Sequence, residues 1–172
     1  SGNTCEQVTA VPLEKEILRM THGKSFIYCA DAGLGSYNIR LFNSMGGRGF
    51  IVTQSVKKLG DILKQAVFND YDYRLLSNDV PVRIEHMKEF DRFDEDNRGL
   101  YEDFAYKVIP ADHAMDLGLY EEKLLKNGKV QRVKAKGTLK QRVIITFSRK
   151  MMEYQRTVRN RQIERAKNML RR

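Results

Sequence analysis

One acidic side chain stands in a setting that suggests chemistry. The run Tyr28-Cys29-Ala30-Asp31-Ala32-Gly33-Leu34 puts the carboxylate of Asp31 at the end of an apolar stretch and just before a glycine turn. In open α/β sheets, catalytic and ligand-binding groups collect at such positions, because the loops beyond the strand ends open into a crevice. A carboxylate beside an apolar strand is costly unless it meets a cation or hydrogen-bond donors. A divalent metal would meet that need, and hard carboxylate oxygens suit Mg²⁺ or Mn²⁺. The same side chain could instead be structural, capping the next helix. Gly33-Leu34-Gly35, between a strand and a helix, also has the start of a dinucleotide-binding turn. There the pattern stops: position 38 is Asn where a third glycine is needed, and the next strand ends in Gln54 rather than in an acid suited to a ribose.

The other reactive residue types are scattered. Cys5 and Cys29 form no CxxC pair, and His22, His86 and His113 stand singly, so no zinc-ligand spacing is present. Cys29, within Phe26-Ile27-Tyr28-Cys29-Ala30, is expected to be a small buried thiol. The acidic run Asp91, Asp94, Glu95, Asp96, Glu102 and Asp103 brushes the start of a calcium loop, but the twelfth position, which needs Glu, is Ala105. A solvated acidic loop is expected there.

Charge is distributed unevenly. From Lys123 to Arg172 there are 17 Lys or Arg against two acids, Glu153 and Glu164, whereas the preceding part is net acidic within a chain of net charge +9. A basic C-terminal part points to a polyanion, and nucleic acid is the obvious one. The candidate phosphate contacts on the last helix are Arg149, Lys150, Arg156, Arg159, Arg161, Arg165 and Lys167, with Arg171 and Arg172 beyond. Met152, Ile163, Ala166 and Leu170 would form an apolar seam along that helix. Within the body, Lys57 and Lys58 follow the second strand, and Lys129, Arg132, Lys134, Lys136 and Lys140 partly alternate as on one strand face. Such contacts give affinity and salt dependence without reading sequence. The alternative is a solvated face whose aliphatic stems pack on the body.

These residues need elements to hold them. Pro12 suits the first turn of a helix, with Thr9 as a cap and Leu13, Ile17, Leu18 and Met20 at roughly helical spacing. Ser25 to Ala32 reads as a strand covered on both faces. Ser36 can cap a helix over residues 37–45, in which Ile39, Leu41, Phe42 and Met45 pack on a sheet. Gly46-Gly47 ends it, and residues 49–54 form a second strand. The β-α-β order implies a parallel pair. A short helix is expected over residues 59–69. Short alternating segments follow at 73–76, 80–84, 104–109 and 142–147, with a helix around 86–91 and a hairpin turn at Lys126-Asn127-Gly128-Lys129. Ser148 can cap a long final helix. No apolar run is long enough for a membrane span and no leader opens the chain, so a soluble, cytoplasmic protein is expected.

Gly2-Asn3-Thr4-x-Glu6-Gln7 with Thr9, then Phe26 to Leu34, then Asn38-Ile39 and Gly49-Phe50-Ile51-Val52, resemble in order and spacing the DDE transposases of bacterial insertion sequences. The resemblance is specific over residues 2–58 and looser beyond. It implies a ribonuclease H-like core, similar to that of retroviral integrases, interrupted by an insertion. In that family the acid of the Ala-Asp-x-Gly turn is the second of three metal-binding carboxylates, and it maps onto Asp31. The first belongs on a strand upstream of the Gly-Asn segment, which here begins at residue 2. The third is a Glu in a Tyr-x2-Arg-x3-Glu helix, yet from Tyr154 the corresponding residues are Thr157 and Arg161, and Glu164 is out of register. The first and third acids are therefore expected outside this chain, and the chain alone is expected to be inactive.

Together these features predict an α/β chain: residues 1–58 part of a ribonuclease H-like core, 59–147 a β-rich insertion, and 148–172 a basic helix returning to the core. The implied enzyme uses two Mg²⁺ or Mn²⁺ ions, about 3.5–4 Å apart, to cut transposon ends and join the freed 3′-hydroxyls to target DNA. Two DNA ends must be held together, so a homodimer on DNA is implied. The alternative is a non-catalytic DNA-binding or assembly module derived from a transposase.

Overall fold

The computed structural model describes residues 6–23 and 25–170, with side chains from residue 10 onward. The Gly2-Asn3-Thr4 segment, Cys5, the Thr9 side chain, Arg171 and Arg172 lie outside the described residues. The fold is mixed α/β and divides into two compact units. The first comprises the chain up to Val67 together with Pro110–Val143, and the second comprises Phe68–Ile109 together with the chain from Ile144. The stretch 59–147 is thus shared between them.

The first unit begins with helix α1 (Glu6–Met20). Pro12 was expected in its first turn, but the helix is already formed at Glu6, so both Thr9 and Pro12 lie in its interior. Proline there removes one ladder hydrogen bond, and the good helix formers after it, Leu13 to Leu18, carry the helix on. Strand β1 (Ile27–Ala30), helix α2 (Tyr37–Asn43) and strand β2 (Gly49–Val52) follow. The two strands are parallel, with Ile27 opposite Gly49 and Ala30 opposite Val52.

The expected cover on both faces of β1 is corrected. The two strands form a sheet of their own, in which Tyr28, Ala30, Phe50 and Val52 are half-buried. On the other side Ile27 and Ile51 are 65% and 64% exposed. Cys29 shares that outer side and is an exposed free thiol, not a buried one. Strand periodicity of two sends alternate residues to opposite faces, and only one face is packed. Met45, expected on the sheet, lies past the end of α2 and is exposed. The buried positions of α2 are Tyr37, Ile39, Arg40 and Asn43, two of them polar.

A 3-10 turn at Val56–Lys58 leads to α3 (Asp61–Phe68). After Pro110 the chain returns to the first unit and contributes Ala111, Ala114, Leu117, Leu119, Ala135 and Leu139 as buried apolar residues. Gly118 in this return has φ +60°, and a β-carbon there would collide with the Lys58 carbonyl. Only glycine permits both the backbone conformation and the approach. The hairpin forms as the Asn-Gly pair predicts. Antiparallel strands later in the chain, Tyr120–Leu124 and Val130–Lys134, flank it, and Gly128 takes φ +77°.

The second unit holds a four-stranded sheet. In chain order its strands are β3 (Tyr73–Leu75), β4 (Pro81–Val82), β5 (Ala105–Pro110) and, counting the hairpin strands as β6 and β7, β8 (Arg142–Phe147). The spatial order is β4-β3-β5-β8, and β3 is antiparallel to both β4 and β5. Helices α4 (Ile84–Glu89), α5 (Arg98–Glu102) and α6 (Arg149–Leu170) complete the unit. Its core is Tyr73, Ile84, Met87, Phe90 and Ala105. Ser148 caps α6, its Oγ accepting from the Met151 N–H. The expected apolar seam on α6 is uncovered: Met152 is half-buried, but Ile163, Ala166 and Leu170 are exposed, and no residue of the helix is buried. Among the described residues no helix is long and apolar enough to cross a membrane.

Candidate functional site

Asp31 follows the last residue of β1 directly and is exposed. One carboxylate oxygen accepts from the Gly33 N–H at 2.8 Å, so the residue caps a 3-10 turn over Ala32–Leu34. Asp31 thus caps this short turn and not α2, whose N-cap is Ser36, and it stands at the carboxyl end of a parallel strand. The neighbouring strand leaves the sheet beside it, with the Thr53 N–H donating to the Ala30 carbonyl at 3.2 Å. Tyr28 fixes the turn from below, its hydroxyl donating to the Leu34 carbonyl. Burial raises the pKa of that phenol, and the nearby carboxylates of Glu14 and Asp31 raise it further.

The loops around this crevice are tied together by one side chain that sequence reasoning missed. Arg40, on α2, is 5% exposed. Its Nε donates to the Gly35 carbonyl at 2.9 Å, its Nη1 to Gln141 Oε1 at 3.0 Å and its Nη2 to Gln54 Oε1 at 2.7 Å. Gln54 passes the connection on, its Nε2 donating to the Leu117 carbonyl at 2.9 Å. The turn after β1, the segment after β2 and the loop around Leu117 are thus braced through a single guanidinium. The signal in the sequence was Arg40 and Asn43 three apart on a helix face that otherwise carries Tyr37 and Ile39. Gln54, noted only for not being an acid, is the bridging acceptor.

The expected basic contacts fall into distinct groups. Lys57 and Lys58 are exposed in the 3-10 turn after β2. Lys134 and Lys136 are exposed at and just past the end of β7. Arg132, on the same strand, stacks on the Tyr120 ring at 4.6 Å. On α6, Arg149 is half-buried and bonded to Glu153 at 2.7 Å, Lys150 pairs with Glu102 at 2.7 Å, and Lys167 pairs with Glu164 at 2.9 Å. Arg149 and Lys150 sit at the positive end of the helix dipole, where cations are disfavoured, and both are held by acids. Arg156, Arg159, Arg161 and Arg165 are exposed and make no ion pair among the described residues.

The acids do not assemble around Asp31. Among the described residues no group of three or more His, Cys, Asp or Glu is placed to hold a metal ion. Glu164 is engaged by Lys167, and Glu153 by Arg149 and Arg92. Asp91 and Asp94 cap their own loop, accepting from the N–H groups of Phe93 and Asp96. One exposed carboxylate does not make a two-metal centre, so the side chains described do not fit a metal pair by themselves. No family model, curated protein or solved structure matches the chain.

Proposed function

We propose that this chain is part of a DDE-type DNA transposase, in which Asp31 is one of the metal-binding carboxylates and the exposed arginines of α6 contact DNA phosphates. The observation that carries the proposal is the place of Asp31: an exposed acid directly after a strand of a parallel β-α-β unit, on a turn braced by Arg40. In this reading β1, α2 and β2 are the part of a ribonuclease H-like core around its second acid, and the partner acids come from elsewhere in the complete enzyme. The basic surface would hold transposon ends and target DNA, with two copies of the protein bridging the ends. Mg²⁺ or Mn²⁺ would be the cofactor.

A second reading has a specific observation in its favour. The described residues hold no group of three or more metal-ligating side chains, while four arginines of α6 make no ion pair among them. A DNA-binding or assembly module derived from a transposase would look the same. Asp31→Asn in the complete protein separates the two. A catalytic Asp31 predicts that cleavage of transposon-end DNA is lost while affinity for the same DNA stays within about twofold, because a neutral isostere removes a metal ligand and no phosphate contact. Cleavage that persists in Asp31→Asn excludes the metal-ligand role and leaves the module.

A further inference from the structure

Arg40 is a buried charge without a counter-charge. All three of its hydrogen-bond acceptors are neutral: a backbone carbonyl and two glutamine side chains. No carboxylate among the described residues lies within ion-pair distance, and burial pulls its pKa down to about 10. Burying an ion without an opposite charge is costly. A guanidinium also carries five N–H donors, so three bonds leave two to spare.

Arg40 lines a small recess of the first unit together with Lys58, Arg132 and the hydroxyl-bearing Ser36, Thr53 and Ser55. No acid lines it. Ser36 stands at the N-cap of α2, yet its hydroxyl makes no capping bond. Neither Lys58 nor Arg132 has an ion-pair partner among the described residues, and Arg132 is held by its stacking on Tyr120. Three cations and three hydroxyl-bearing residues lining one recess without a carboxylate suit an oxyanion with several acceptor oxygens.

We propose that this pocket is a phosphate subsite, in which Arg40, Lys58 and Arg132 receive one phosphate group, supplied either as free phosphate or as a phosphodiester of a polynucleotide. It goes beyond the transposase reading, because it assigns a ligand to Arg40 and Arg132 and stands whether or not Asp31 is catalytic. Arg40 forms the floor and serves two ends, bracing the loops and presenting charge. Lys58 and Arg132 form the exposed mouth.

The test is a ¹H–¹⁵N NMR titration of the 172-residue chain with inorganic phosphate, read at the Arg40 Nε–H and controlled with chloride at equal ionic strength. A saturable shift of that signal is expected. Lys58→Gln and Arg132→Gln make no bond in the Arg40 network, so both should keep the backbone spectrum. Each should weaken phosphate binding about fivefold, and the pair about tenfold or more. Adding a short DNA duplex then identifies the source. Displacement of bound phosphate assigns the site to a polynucleotide backbone, and phosphate retained beside saturating duplex assigns it to a free phosphate. No phosphate-specific shift at Arg40, or affinity unchanged in the double variant, overturns the proposal.

Discussion

Glu14, on α1, is 4% exposed, and neither of its carboxylate oxygens has a well-formed hydrogen bond. Burial pushes its pKa above the usual 4.5, against the opposing pull of the Asn43 amide and the Arg48 guanidinium. A raised pKa means that the folded state keeps the proton to higher pH than the unfolded chain does. Its cost is absent below about 4.5, grows as pH rises through the folded value and stays constant above it. Glu14→Gln should therefore be more stable than the parent at pH 7, by roughly 1 kcal/mol, and no more stable at pH 4. Urea denaturation at the two pH values checks this, and an equal difference at both would contradict it. At this scale the sequence was partly legible. The place of Asp31 could be read because an acid ending an apolar run before a glycine turn is a local pattern. Arg40, Gln54, Gln141 and Gly118 could not, because their roles depend on partners 14 to 101 positions away in the chain. No local pattern encodes such a partner.

Helix α6 shows how an element can be secured at one end only. Glu153 accepts from Arg149 on its own helix and from Arg92 and Tyr101 of the same unit. Its side chain is 22% exposed. Burial opposes ionisation, but the Arg149 and Arg92 hydrogen bonds outweigh it and hold the carboxyl below its ordinary range. A depressed pKa contributes stability that is present above the unfolded pKa and lost as pH falls through the folded one. Glu153→Gln should cost about 1–3 kcal/mol at pH 7, shrinking toward zero in acid, with the loss read from thermal melts across that range. The same cost at low pH would show that packing, not charge, is at work. From Arg159 onward every described residue of α6 is exposed. The sequence predicted the helix and its Ser148 cap, because composition and capping are local. It overstated the cover along Met152, Ile163, Ala166 and Leu170, because apolar spacing shows which residues could pack and not whether anything packs on them. The same reasoning overstated the burial of β1: an apolar run fits a central strand, but the number of strands beside it is not written in the run.

At the scale of the whole molecule, 31 Lys or Arg stand against 22 acids, and the excess lies in the C-terminal third. Among the described residues, four of those cations are already paired with neighbouring acids: Lys123, Arg149, Lys150 and Lys167. On α6, Arg156, Arg159, Arg161 and Arg165 are left to a polyanion. Both the transposase reading and its non-catalytic rival require that this surface bind DNA, so DNA binding bears most directly on the account. The measurement is fluorescence anisotropy of a labelled duplex titrated with the 172-residue chain over a series of salt concentrations. Binding should weaken steeply with salt, and replacing the four arginines by Gln should reduce the slope of log K against log salt by about 3–4, since each lost phosphate contact removes about 0.9. No binding at low salt, or a slope unchanged in the four-arginine variant, would contradict the assignment of this helix to DNA.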